Sequence, residues 1–183
     1  MHQLVKNFMV PTERFPTILN SATFTEAVLA LEEAQEAFTA GKQEQRILLV
    51  LDEEKKIVGK LTPMDIIRGL EPNYDKLVDK DTGAFISNVN YVIDSMKKAA
   101  QLWASPIDDL CKTVKDVKIR DFLKNTPKSQ LIDTEASLNM ALHAFYLFRH
   151  DALFAMDGNT VAGVLRFSDV YREIQRQIKT CKI

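Results

Sequence analysis

The sequence predicts an α+β fold built from two copies of a β-α-β-β-α unit with a helical insert between them. Three observations predict it. First, the spacing that separates Val5 from Ile119 also separates Phe8 from Phe122, Ile18 from Ile132, Ala22 from Ala136, Phe24 from Leu138 and Leu31 from Phe145, with apolar residues meeting apolar residues. Second, a shorter spacing then pairs Gly59 with Gly163 and Asp65 with Asp169, so the second copy is the more compact one. Third, each copy runs through the same order of strand-like and helix-like patterns.

Each copy opens with a short extended segment, Thr17-Ile18-Leu19 and Leu131-Ile132. A helix follows. In copy one Phe24, Ala27, Val28, Leu31, Ala34 and Phe38 mark one face at helical spacing, and Thr23 with Glu26 forms a capping box. In copy two the face is Leu138, Ala141, Leu142, Phe145 and Phe148, capped by Ser137. Near-continuous apolar runs come next, Ile47 to Leu51 and Leu153 to Met156, which suit strands buried on both faces. Polar turns follow, Asp52 to Lys56 and Asp157-Gly158-Asn159, the latter a hairpin signal. The second strands, Ile57 to Leu61 and Val161 to Leu165, lead into closing helices near Pro63 and Ser168. One copy has too few strands to bury both faces of its sheet, and two copies packed together solve that.

The domain reading is copy one over 1–70, a helical insert or linker over 71–116 and copy two over 117–183. In the insert Phe85, Val89, Val92, Met96, Ala99 and Trp103 follow the helical period, and Ser105-Pro106 restarts a short helix. Its apolar face packs on its own domain pair, or else forms a dimer or partner surface.

Composition excludes several classes. At 46% hydrophobic residues the chain has a core and is not disordered. A net charge of -1 with mixed signs argues against a nucleic-acid partner, which needs a basic face. No run approaches the roughly 18 apolar residues of a membrane span. The opening has no apolar signal core or cleavage site, and a cytoplasmic location is expected. Cys111 and Cys181 form no disulfide framework, and three histidines without a Cys/Asp cluster give no metal site.

Two segments carry a recognisable pattern. Copy one reads Leu48-Leu49-Val50-Leu51-Asp52, then Ile57-Val58-Gly59-Lys60-Leu61-Thr62-Pro63-Met64-Asp65-Ile66; copy two reads Val161-Ala162-Gly163-Val164-Leu165-Arg166-Phe167-Ser168-Asp169-Val170. These, with the opening Val5 to Pro11, resemble the cystathionine-β-synthase-type (CBS) domain, with its G-x-x-T-x-x-D run into the last helix. The resemblance covers most of the chain outside the insert. It implies a CBS pair, or Bateman module: two repeats related by a pseudo-two-fold, with two related clefts, often associated as a flat homodimer. It implies a regulatory role without catalysis, no required cofactor, and an adenosine-containing ligand: AMP, ADP, ATP or S-adenosylmethionine. An unidentified regulated protein would read the bound state.

Carried over by position, the resemblance puts Thr62 on phosphate or ribose, Asp65 on ribose hydroxyls, Gly59 in the copy-one site, and the adenine against backbone near Ile18 or Ile132. In copy two only Asp169 carries over. Arg166 stands where Thr is usual, so the second site is either empty or uses Arg166 on a phosphate. The alternative function is a structural or protein-binding module with degenerate, empty clefts.

Elementary chemistry is compatible with these roles and also with a plainer one. An ionised Asp accepts two ribose hydroxyls readily, and a helix N-terminus favours phosphate. Yet Thr62 as N-cap, Pro63 at the first helical position and Asp65 in the first turn also describe an ordinary helix start. Ser105-Pro106-Ile107-Asp108 repeats that pattern in the insert, where no site is expected. His143 reads as packed or surface, His150 and Arg46 as solvated, Glu32 to Glu36 as the wet side of a helix, and Asp108-Asp109 as capping and surface charge. No nucleophile elbow or Walker-type loop is present.

Overall fold

Polar punctuation and apolar runs alternate along the chain, and the elements form where they change. The protein is described here by a computed structural model covering residues 3–71, 112 and 114–180. The insert's helical face from Phe85 to Trp103, the Ser105–Asp109 segment, Cys111 and Cys181 lie outside the described residues. The architecture is mixed α+β, with two separate small sheets.

Two compact units emerge. One comprises Thr17–Lys55 and Gly59–Lys124; the other comprises Met1–Pro16, Lys56–Val58 and Asn125–Ile183. The first contains β2 (Thr17–Leu19), α1 (Phe24–Thr39), β3 (Leu48–Leu51), most of β4 (Ile57–Leu61), α2 (Pro63–Leu70) and the single-turn α3 (Ile119–Phe122). Its sheet has the order β2-β3-β4, with β2 parallel to β3 in the register Thr17↔Leu49, Ile18↔Val50 and Leu19↔Leu51. Leu48, Leu49 and Val50 are almost completely buried, as their continuous apolar run requires. Each such side chain stabilises the fold by about 1.5–3 kcal/mol. The turn before β4 is closed by Asp52, whose carboxylate accepts from Glu54 N–H at 2.9 Å, while Lys55 takes a left-handed φ of 61°. Thr23 and Glu26 form the expected capping box on α1. Gly69 of α2 lies against the rings of Phe24 and Phe122, which are 5.7 Å apart.

The second unit contains β1 (Val10–Pro11), β5 (Leu131–Asp133), α4 (Leu138–Phe148), β6 (Ala152–Asp157), β7 (Thr160–Arg166) and α5 (Phe167–Thr180). Its sheet has the order β1-β7-β6-β5. β6 and β7 form the expected hairpin, and Gly158 in the two-residue loop takes a φ of 57° that a side chain would resist. The core gathers Val5, Leu138, Ala141, Phe145, Leu153, Ala155, Leu165 and Val170. Ser137 caps α4 through its hydroxyl, which accepts from Met140 N–H at 3.3 Å.

The two copies exchange their opening segments. Val5 N–H donates to the Ala136 carbonyl at 2.9 Å, and Ile119 N–H donates to the Ala22 carbonyl at 3.0 Å. Lys6 N–H donates to Thr134, as Arg120 N–H does to Asn20; Leu138 N–H donates to Gln3, as Phe24 N–H does to Val117. Every bond of one set maps onto the other through the repeat spacing. The opening of copy one therefore completes the body of copy two, and the reverse. β1 itself is this exchanged opening, pairing Val10↔Val164 and Pro11↔Gly163.

The helical faces extend less far than their spacing predicts. Phe24, Ala27, Leu31 and Ala34 are buried, but Val28 and Phe38 are 39% and 42% exposed. On α4, Leu138, Ala141 and Phe145 are buried, whereas Phe148 is 53% exposed. Val28 sits at the edge of the buried stripe, about 100° per residue around the helix, and both phenylalanines fall in the last turn. No described helix is long and apolar enough to cross a membrane.

Candidate functional site

The Asp of each copy sits in the first turn of its closing helix, because a strand must end and hand its chain to a helix there. At the start of α2, Thr62 has extended backbone and Pro63 supplies a helical φ without needing a hydrogen bond. Asp65 then turns back. Its Oδ2 accepts from Thr62 N–H at 2.9 Å and from the Thr62 hydroxyl at 2.6 Å, and its Oδ1 accepts from Arg68 Nη1 at 2.7 Å. The carboxylate is mostly buried, at 15% exposure. A carboxylate has about four acceptor positions, and these bonds fill both on Oδ2 and one on Oδ1. One position on Oδ1 is therefore open, and Arg68 holds the other.

This bonding is partly generic. Glu26 accepts from Thr23 N–H at 2.7 Å and Asp121 from Lys118 N–H at 2.8 Å, both in the same first-turn position. What sets Asp65 apart is Arg68 on its second oxygen and its place after buried Gly59 at the end of β4. Ile18, half-buried on β2, is separated from β4 by β3. Thr62 and Asp65 are thus joined directly, with Gly59 on the strand leading to them and Ile18 across the same sheet.

Copy two builds the same place differently. Arg166 ends β7, opposite Ala152. Its Nε donates to Asp169 Oδ2 at 2.6 Å and its Nη2 to Asp169 Oδ1 at 2.7 Å. This is the two-pronged geometry that makes guanidinium–carboxylate pairs strong. Arg172 approaches Asp169 Oδ1 at 3.5 Å, in the place Arg68 holds in copy one. Asp169 is 10% exposed. Ile132 shares a rung of the sheet with Ala155, Gly163 and Pro11. It therefore lies two strands, about 10 Å, from β7.

Gly163 has a structural duty of its own. A Cβ there would lie 2.7 Å from the Val10 carbonyl oxygen and 2.9 Å from Met9 Sδ. The glycine is what lets the exchanged β1 lie against β7.

Sequence reading missed Arg68 and Arg172, although both stand three residues after their Asp, a spacing that pairs side chains on a helix. His150 differs from its expected solvated state. It is half-buried, with Nε2 3.0 Å from Ser129 Oγ, because Lys128–Gln130 folds as a turn beside the start of β6. Arg46 and Glu32, Glu33 and Glu36 are exposed as expected, and His143 is at the surface. Among the described residues no three His, Cys, Asp or Glu side chains gather as metal ligands.

Solved structures align with this fold over nearly the whole chain. CBSX2 from Arabidopsis thaliana, a CBS-pair protein, aligns with a TM-score of 0.57 at 15% identity, covering 99% of this chain and 100% of that one. A CBS domain-containing protein of unknown function from Bacillus anthracis aligns with a TM-score of 0.59 at 14% identity, covering 95% and 94%. The chain has the fold of a CBS-domain pair. A structure of CBSX2 in complex with AMP also has this CBS-pair fold, with a TM-score of 0.53 at 17% identity over 97% and 98% of the two chains. No family model and no curated protein matches the sequence.

Proposed function

We propose that this CBS pair is a regulatory module that binds an adenosine-containing ligand, AMP, ADP, ATP or S-adenosylmethionine, through Ile18, Gly59, Thr62 and Asp65. The observation that carries the reading is Asp65. It is a mostly buried acceptor at a helix N-terminus, with one oxygen not yet saturated. The N-terminus of α2 supplies N–H groups and partial positive charge for a phosphate. The AMP complex of CBSX2 supports an adenine ligand on this fold. The proposed role is not catalytic. Binding shifts the module between two states that a partner protein distinguishes, since a ligand acts only through differential affinity. The module works in the cytoplasm as a homodimer.

The test is thermal unfolding with AMP, ADP, ATP with and without magnesium, GTP and S-adenosylmethionine. A ligand at about 100 times its Kd adds roughly 2.7 kcal/mol, worth about 2–4 °C per kcal/mol at this size. One adenine ligand raises Tm by several degrees, and Asp65→Ala abolishes the rise. A rise that survives Asp65→Ala removes the residue from the site.

A second reading is favoured by the Arg166–Asp169 fork, which fills the copy-two position from within. It makes the chain a structural or protein-binding module. Exposed apolar side chains such as Met64 on α2 and Leu147 on α4, at 69% and 66% exposure, supply contact surface for it. No Tm response to any ligand in the panel selects this reading.

A further inference from the structure

The second unit contains a cavity of about 730 Å³ between α4 and α5, on residues that the nucleotide reading does not use. Its volume lies in the range of small-molecule sites. Leu142, Phe145, Phe167 and Ile174 line it with apolar surface. Phe145 meets Phe167 edge-on at 5.5 Å, and Tyr171 stacks on Phe167 at 6.1 Å, so the wall is aromatic and held in shape from behind. Aromatic walls of this kind favour a flat ring.

The polar part of the lining holds the Arg149 guanidinium, two imidazoles, the Asn139 amide and the Tyr146 hydroxyl. His143, Arg149 and His150 all border the cavity, and among the described residues no carboxylate does. Among the described residues Arg149 makes no ion pair; its guanidinium lies 5.1 Å from the centre of the Tyr146 ring, another lining residue. The chain turns sharply there, because Arg149 ends α4 with a left-handed φ of 56°. α4 has 11 residues where its counterpart α1 has 16.

Copy one provides an internal comparison. The repeat spacing sets Leu29 and Glu32 where copy two has His143 and Tyr146. Copy one thus carries an acid at the Tyr146 position. Arg149 stands just past the end of α4, where the two copies differ in helix length.

We propose that this cavity is a binding site for an aromatic molecule bearing one anionic head group, a carboxylate or a phosphate monoester. The ring lies against Phe145 and Phe167, and the head group meets Arg149 at the mouth. A guanidinium fork suits either oxyanion.

The test is calorimetric titration of the full chain with 1-naphthoate, 1-naphthyl phosphate and the neutral 1-naphthalenemethanol. Either anion saturates one site per chain with a sub-millimolar Kd, on the order of −4 kcal/mol or better, and the tighter of the two identifies the head group. The neutral probe binds about tenfold more weakly, as expected for loss of a hydrogen bond between charged groups. Arg149→Gly, which suits the left-handed backbone, weakens the anions by about the same factor and leaves the neutral probe unchanged. Ile174→Trp, which fills the cavity, removes binding of all three. Failure of both anions to saturate overturns the proposal, as does equal binding of the neutral probe or indifference to Arg149→Gly. Anion binding that disappears as protein concentration rises also overturns it, because a second copy then occupies the face.

Discussion

Arg166 holds Asp169 with two parallel hydrogen bonds of 2.6 and 2.7 Å, at the position where copy one has Thr62 bonded to Asp65. The residue three before the carboxylate thus grips it with a neutral hydroxyl in one copy and with a cation in the other, while an arginine three residues after it approaches in both. Replacing Arg166 with Thr removes the cation and restores the copy-one arrangement. Under the nucleotide reading, the calorimetric stoichiometry of the tightest adenine ligand rises from one toward two per chain in Arg166→Thr. A stoichiometry that stays at one shows that the fork is not what closes the second site.

Glu173 ties the start of the chain to α5. It accepts from Arg176 Nε and Nη2 at 2.8 and 2.7 Å, from Gln177 at 2.9 Å and from Gln3 at 2.8 Å. The Arg176 and Gln177 bonds hold its carboxyl down at about 2. Because the folded value lies below the unfolded one, its stabilisation is complete above the ordinary carboxylate range and is lost as pH falls from about 4.5 to about 2. Glu173→Gln lowers Tm at pH 7, and the difference from the parent shrinks across that window. The check is Tm against pH for the two proteins. Parallel curves refute the assignment.

Gly163 is a position where even one methyl group has no room. Gly163→Ala drives Cβ into the Val10 carbonyl, and overpacking of this kind costs about 1–3 kcal/mol. Gly158→Ala meets no neighbour but keeps a φ of 57°, a cost of roughly 1–2 kcal/mol from backbone alone. Hydrogen exchange separates them. Gly163→Ala loses protection along β1, whereas Gly158→Ala loses it only at the hairpin tip.

Val5 is fully buried in the core of copy two's body, although it belongs to the opening of copy one. Val5→Ala costs about 1–3 kcal/mol in denaturant unfolding. Hydrogen exchange then quickens in β7 and α4, with less effect on β2 and β3. Equal loss in both sheets contradicts the exchanged arrangement.

Much of this was readable because it is local. The runs Leu48–Val50 and Leu153–Ala155 are buried strands, Thr23 and Ser137 are caps, and Gly158 marks its turn. What could not be read is set by partners distant in sequence. A two-residue strand ending in Pro11 has no pattern of its own and exists only because β7 receives it. Phe148 and Val28 carry the helical period of a core, yet periodicity reports that a face is apolar and not what covers it. At the site, Thr62 and Asp65 were identifiable from their order after Gly59. The grip of Arg166 on Asp169 depends on a rotamer, which residue order leaves open.

The exchanged openings also set a schedule for synthesis. Residues 17–55 emerge from the ribosome long before Ile119–Phe122 are made, so copy one must wait for copy two to begin before it is closed. Val5 and Val10 wait longer still, since β7 lies far downstream of them. At about 5–20 residues per second, β1 stays unpaired for on the order of ten seconds after it is made. The opening of copy one thus finds its place only after most of copy two has followed it, and a nascent chain halted before Thr160 leaves β1 without its strand partner.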